Sequence, residues 1–461
     1  MTTHKTDTAL PEKIGILAVI KLAWPIVVSM LSFTALIVVD SIFVAQLGTA
    51  PLAAIGLAVS VTFLILGFAL GLIRGTKVVV AHLVGAGKHD QVDRTLTQGL
   101  ILATGLGLVV AAFAPLGNQI FPLMGGSPEV VRHADAYFAV RVLGAPITFV
   151  LVALNAWFEG RGDTRTPMFA TLLANGLNLA LDPLLIFGWG PVPRLETAGA
   201  ALATVISVLV AVIWVARRAR RTVDSERWTW KIHLNLLRWI CKIGLPMGTS
   251  RALEVGAWVI FTSLLARVSD IHLAAHVMVM RVVSVSFLPG YGIGEATGVF
   301  VGQALGARRP ELARQAVQAG MRLAVAVMAG WAFVFVLFPE PLVAVFGAEA
   351  GVMTLACELM VVAALFQVFD ALATIGIGAL TGAGDTRWVM VVGVTSAWLV
   401  NLPLAWLLAI ELRWGAVGAW LGLTVEILVI AIFHLARLRG ETWLSPGGAP
   451  GLDEELVPSA T

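Results

Sequence analysis

Long apolar runs alternate with short polar connections along the whole chain. Twelve runs approach or exceed the ~20 residues that carry a helix across a bilayer. They fall roughly at 18–45, 51–74, 95–116, 134–157, 167–189, 197–216, 238–266, 272–301, 314–338, 352–379, 388–411 and 415–436. Barrel strands would instead alternate in segments of about 10 residues. The pattern therefore predicts an all-α integral membrane protein with twelve transmembrane helices.

The polar positions inside these runs carry the chemistry. LLANGLNLALDPLLIFG, residues 172–188, places Asn175, Asn178 and Asp182 at i, i+3 and i+7. On a helix that spacing makes one polar stripe. An unpaired charge at mid-membrane costs at least ~2.5–3.5 kcal/mol, which marks such an acid as functional. Pro183 follows and removes a backbone donor beside it. Counting ~1.5 Å per residue from the ends of each run puts Asp40, Asn178, Asp182 and Thr204 in one layer. Two carboxylates, an amide and a hydroxyl offer hard oxygens for Na⁺. Two close carboxylates also make a proton site. The residue types do not choose between the ions. Glu254 and Asp370 fall near mid-depth in the second half and suggest a second acidic site, although Arg251, at i−3, offers Glu254 a structural partner.

The two halves repeat. GRGDTRTPM at 160–168 returns as GAGDTRWVM at 382–390, and KLAWP ending at Pro25 returns as KIGLP ending at Pro246. The offset of 221 to 222 residues spans six runs, an even number, so both copies share one orientation. The expected architecture is two six-helix lobes related by a parallel pseudo-twofold axis. Residues 1–216 form the N-terminal lobe, 217–242 a basic cytoplasmic linker, 243–437 the C-terminal lobe and 438–461 a disordered tail. A transport cavity between the lobes follows from this plan. Asn178 has a counterpart in Asn401 only if the register slips by one residue; Asp182 then corresponds to Ala405. Asp40 maps to Phe261, Glu254 to Phe33 and Asp370 to Thr148. The acids are peculiar to their own halves.

Composition agrees with the pattern. The chain of 461 residues is 58% hydrophobic and 13% charged, about half the charge of a globular domain. Arg and Lys gather in alternate connections, which places both termini in the cytoplasm of a multi-pass inner-membrane protein. The net charge of +3 belongs to those loops, so no nucleic-acid partner is implied. The start, MTTHKTDTALPEK, lacks the apolar core of a cleavable signal peptide. Cys241 and Cys357 suggest neither a disulfide framework nor a metal site. No Walker A, GxSxG or HExxH pattern is present, which argues against an ATP-driven pump or a membrane hydrolase; the chain is expected not to be an enzyme.

On RVVSVSFLPGYGIGEATGVFVGQALGA at 281–307, the paired GDTR loops and VVDSIFVAQLG, the chain resembles the multidrug and toxic compound extrusion (MATE) family over residues 12–437. The resemblance implies export of cationic or amphipathic drugs in exchange for Na⁺ or H⁺, with no cofactor, by a chain acting as a monomer in the lipid bilayer. Asp40, Asn178, Asp182 and Thr204 resemble the N-lobe cation site of the DinF-type branch, where Asn155 is a further polar residue and Pro25 is implicated in helix bending. Glu254 and Asp370 resemble C-lobe acids of the NorM-type branch. The alternative is a flippase for lipid-linked precursors of the same broad fold group. Such a protein calls for several basic residues around its cavity; here the intramembrane arginines are few (Arg141, Arg251, Arg281 and Arg322) and the acids prominent.

Overall fold

The computed structural model describes residues 10–188, 193–223, 230–347 and 349–444. Among these, the elements are helical. The first half holds α1 (Ile16–Ala45), α2 (Thr49–Gly85), α3 (His89–Ala111), the short α4 (Gly117–Leu123), α5 (Pro128–Leu143), α6 (Ala145–Gly160), α7 (Arg165–Phe187) and α8 (Glu196–Thr222). The second holds α9 (Leu234–Val268), α10 (Asp270–Gly306), α11 (Pro310–Leu337), α12 (Pro339–Ala344), α13 (Ala350–Gly382), α14 (Thr386–Thr395), α15 (Leu402–Trp406) and α16 (Gly415–Arg439). Ten spans among the described residues are individually long and apolar enough to cross a membrane. α14 and α15 count there as one span, Thr386–Glu411. The pair α5 and α6 makes an eleventh, bent by 48°. The sequence pattern suggests one continuous run at 134–157. The break falls at Gly144, just before Pro146, which supplies no N–H to continue the ladder. The twelfth is α9, 35 residues long, whose apolar run is interrupted by Arg251, Glu254 and Arg267.

The sequence repeat is a repeat of structure. α2 begins at Thr49 and α10 at Asp270, α3 at His89 and α11 at Pro310, α7 at Arg165 and α14 at Thr386. The one-residue slip between Asn178 and Asn401 has a local cause. Ser396–Asn401 is π-helical, and a π turn absorbs one extra residue while the helix keeps its course.

Contacts divide the chain into two compact units that are not contiguous in sequence. One comprises Met1–Val27, Val84–Gly87 and Thr249–Thr461; the other, Val28–Leu83 and Lys88–Gly248. The divisions inside α1 and α9 thus follow Val27 and Gly248, positions equivalent under the repeat and each two residues beyond a proline, Pro25 and Pro246. The start of each half therefore packs in the unit built mainly from the other half. Glycines make this possible for α9. A Cβ on Gly71 would lie 2.7 Å from Gly248 Cα, and one on Gly75 2.9 Å from Gly244 N. The two Gly-x-x-x-Gly pairs let α2 and α9 touch backbone to backbone, the usual device where lipid removes the hydrophobic drive for helix association.

Each half closes with an equivalent ion pair. Asp163 of the first GDTR loop accepts from Thr166 N at 3.0 Å and faces Arg218 of α8 at 4.0 Å. Asp385 of the second accepts from Arg437 Nε of α16 at 2.8 Å, and that guanidinium lies over the Trp388 ring. In both halves the arginine comes from the last helix, Arg218 of α8 and Arg437 of α16.

The expected linker at 217–242 is largely helical, because α8 continues to Thr222 and α9 starts at Leu234; residues 224–229 lie outside the described set. Gln98 of α3 donates to Lys231 O at 2.9 Å and accepts from His233 N at 3.0 Å, which ties this connection down. The expectation of a disordered tail from 438 is corrected over its first residues. Trp443 and Leu444 are buried, and Trp443 donates to Leu438 O at 2.9 Å. The apolar area they remove from water explains the order. Residues 445–461 lie outside the described residues.

Candidate functional site

α1, α7 and α8 bring Asp40, Asn178, Asp182 and Thr204 together, all inside one unit. Asn178 and Asp182 are one turn apart on α7 and are buried, at 1% and 0% exposure. In the amide orientation that satisfies both ends, Asn178 Nδ2 donates to Asp40 Oδ1 at 3.1 Å and to Asp182 Oδ2 at 3.2 Å, and its oxygen accepts from Thr204 N at 3.1 Å. The Thr204 hydroxyl donates to Ala200 O at 3.0 Å. The carboxyl groups of Asp40 and Asp182 lie close enough to act directly on each other. Two carboxyls adopt that contact only with a shared proton or a cation between them. Asp182 Oδ1 is buried with no hydrogen-bond partner, so one acceptor of the group is unspent.

An apolar layer lies one turn beyond the acids, toward the C-terminal end of α1. Val44 is at i+4 from Asp40, Ile186 at i+4 from Asp182, and Ala200 at i−4 from Thr204 on the oppositely running α8. These three cluster and are 0%, 0% and 4% exposed, backed by Phe43, Leu47, Tyr137 and Phe187. On the α5 side, Tyr137 hydrogen-bonds Arg141, whose charge acts on Asp40. In the sequence Arg141 is merely an arginine in an apolar run; the fold turns it toward the acids.

The remaining candidates are placed differently. Asn175 donates to Ser32 Oγ at 2.7 Å and ties α7 to α1, a packing role. Asn155 of α6 stands outside the hydrogen-bonded group, with its Oδ1 buried and unpartnered. Pro25 lies inside α1, near the passage between units. Glu254 accepts from Ser250 Oγ at 2.9 Å and faces Arg251 at 3.7 Å. Asp370 of α13 is not brought to Glu254: no charged neighbour acts on it. The acid that does act with Glu254 is Glu426 of α16, which also hydrogen-bonds Asn401. Sequence reasoning misses Glu426, although an acid inside the run 415–436 carries the same signal as Asp182.

Among the described residues, no cluster of three or more His, Cys, Asp or Glu side chains suits a transition metal. The oxygens around Asp40 and Asp182 fit a proton or a hard monovalent cation.

Comparison with known proteins bears on the fold. The MatE family profile matches residues 25–184 and again 246–407, so the two matches open at Pro25 and Pro246. A probable multidrug resistance protein NorM of Bradyrhizobium diazoefficiens is 31% identical over 429 residues, covering 91% of this chain and 92% of the relative. One of the same name from Deinococcus radiodurans is 32% identical over 435 residues, covering 92% and 95%. In fold, the chain superposes on an outward-facing multidrug resistance MATE family transporter of the MOP superfamily with a TM-score of 0.85 at 24% identity, over 95% of this chain and 98% of the other.

Proposed function

Because this chain belongs to the MatE family, we propose that it exports cationic or amphipathic organic compounds in exchange for H⁺ or Na⁺, by alternating access. It is a transporter and not an enzyme. The relatives named for multidrug resistance support drugs as substrates over lipid-linked precursors, and so does the excess of intramembrane acids over arginines. The observation that carries the coupling is the Asp40–Asn178–Asp182 group: a buried and a half-buried carboxyl joined by one buried amide nitrogen. With one cation bound, the pair loses its mutual repulsion and can stay buried; without it, the pair favours a hydrated, open arrangement.

On the reading that the Arg- and Lys-rich connections and both termini face the cytoplasm, the ion enters from the outer face of the inner membrane. The chain then has two six-helix lobes in the membrane sense, and the Val44–Ile186–Ala200 layer lies between the acids and the outer face. Loading changes α1, where Pro25 leaves the helix one backbone bond short, and lowers drug affinity in the outward-facing state.

The test is drug movement in vesicles holding the purified chain, with Na⁺ and proton gradients imposed separately. Drug export driven by one gradient supports exchange and names the ion. Equal movement with neither gradient overturns it.

A further inference from the structure

The connection between α8 and α9 carries a basic run and an apolar row side by side. α8 ends in Arg217, Arg218, Arg220 and Arg221, all exposed. Of these, only Arg218 meets an acid among the described residues, Asp163 at 4.0 Å. The sequence from 217 to 242 holds eight Lys or Arg against two acids. Trp230, Ile232 and Leu234 are 65%, 61% and 58% exposed, with the exposed Lys231 among them. Gln98 of α3 takes the backbone on both sides of Ile232, donating to Lys231 O and accepting from His233 N. A residue of a neighbouring parallel strand makes the same two bonds, so the backbone here is extended. The segment is thus tethered while its apolar row stays outside. The start of the first half shows the alternative. Ile14 N donates to Gln315 Oε1 at 3.1 Å, but Ile14 is 4% exposed, in a core that Leu10 also packs against.

Large apolar side chains left in water forgo the stabilisation that burial brings. Beside a run of arginines, the environment that suits both is the boundary of a bilayer. There apolar residues sink to the level where headgroups meet chains, Trp sits among the headgroups, and cations face lipid phosphate. Charge selects the lipid. A zwitterionic headgroup offsets its phosphate with its own amine, whereas an anionic one leaves the negative charge for the protein to neutralise. We infer that the α8–α9 connection is a docking surface for the headgroups of anionic phospholipids, in the leaflet on its own side of the membrane. Trp230, Ile232 and Leu234 enter the boundary, and Arg220, Arg221 and Lys231 face the phosphates. A soluble acidic partner would match the cations and leave the apolar row in water. A neutral lipid would cover the row and leave the cations without counter-charge. The inference does not depend on the exchange mechanism above.

The test uses the purified, full-length chain in vesicles of phosphatidylglycerol and phosphatidylcholine, with bromine on the acyl chains of one lipid at a time. Bromine quenches nearby tryptophan fluorescence. The difference between the unsubstituted protein and Trp230→Phe isolates the Trp230 signal. At equal mole fraction, brominated phosphatidylglycerol should quench Trp230 at least about twofold more than brominated phosphatidylcholine does. Arg220→Gln, Arg221→Gln and Lys231→Gln together should bring the two lipids to parity. Trp414, 53% exposed at the start of α16 beside the single Arg413, is the control; read through Trp414→Phe, it should show no preference. Equal quenching of Trp230 by both lipids, or by neither, overturns the inference. So does a preference that survives the triple substitution or appears equally at Trp414.

Discussion

Asn178 reaches Asp40 on another helix at 3.1 Å and, with the same nitrogen, Asp182 on its own helix at 3.2 Å. One amide therefore holds two carboxyls that would otherwise drive α1 and α7 apart.

Removing that amide should impair coupling as removing either acid's charge does. Asn178→Leu leaves the buried Asp182 carboxyl and the half-buried Asp40 carboxyl without their donor, a loss of roughly 1.5–3 kcal/mol per charged hydrogen bond and hence more than about tenfold in coupled efflux. Asp40→Asn and Asp182→Asn should also abolish coupling, with the protein still folded. Efflux from a strain lacking its own exporters measures all three. Normal efflux from Asp40→Asn together with Asp182→Asn would remove these acids from the coupling mechanism.

The apolar layer beside the acids makes a stability prediction. Ile186 is fully buried, and Ile186→Ala should destabilise the protein by about 2–5 kcal/mol through lost contacts and a cavity. Thermal unfolding in detergent reads this. Leu173, at 38% exposure on the same helix, is the control, and its alanine variant should unfold close to the unsubstituted protein.

Backbone contact between α2 and α9 predicts a strong dependence on glycine. Gly71→Ala puts a methyl 2.7 Å from Gly248 Cα, a clash that only backbone movement relieves, at about 1–3 kcal/mol. Gly105 has open space around its Cβ position, so Gly105→Ala should be neutral or stabilising by up to about 1 kcal/mol. A lowered melting temperature for the first variant and not the second is the expected result.

The two equivalent ion pairs should differ in weight. Asp385 and Arg437 are 7% and 28% exposed in their side chains, against 34% and 55% for Asp163 and Arg218. Asp385→Ala strands a largely buried guanidinium and should cost about 3 kcal/mol. Breaking the exposed pair with Arg218→Gln should cost at most about 1 kcal/mol. Chemical or thermal unfolding of the two variants compares them directly.

The connection between α8 and α9 carries a pH dependence. Burial, then the charges of Arg94 and Lys231, hold the His233 imidazole below its usual value of 6.5. The unfolded chain therefore binds a proton below about pH 6.5 that the folded chain refuses, so stability falls as pH drops through that value. His233→Gln should flatten the decline in melting temperature between pH 8 and pH 5.5. An unchanged slope would show that His233 makes no such contribution.

Much of the fold is legible in the sequence, because its signals are local. Apolar run lengths mark the spans, and the 3.6-residue period puts Asn175, Asn178 and Asp182 on one stripe. The internal repeat marks the two halves and singles out Asp40 and Asp182 as peculiar to one of them. Tertiary packing decides what local patterns cannot encode. It joins both acids through Asn178, caps them with Val44, Ile186 and Ala200, and sets Asn401 against Glu426 through one π turn. It also leaves Asp370 apart from Glu254 although counting residues puts them at similar depth, because depth fixes position along a helix but not the direction a side chain faces around it. The seating of the start of α9 against α2 depends on glycine contacts between residues far apart in sequence, which periodicity within a single helix does not reveal.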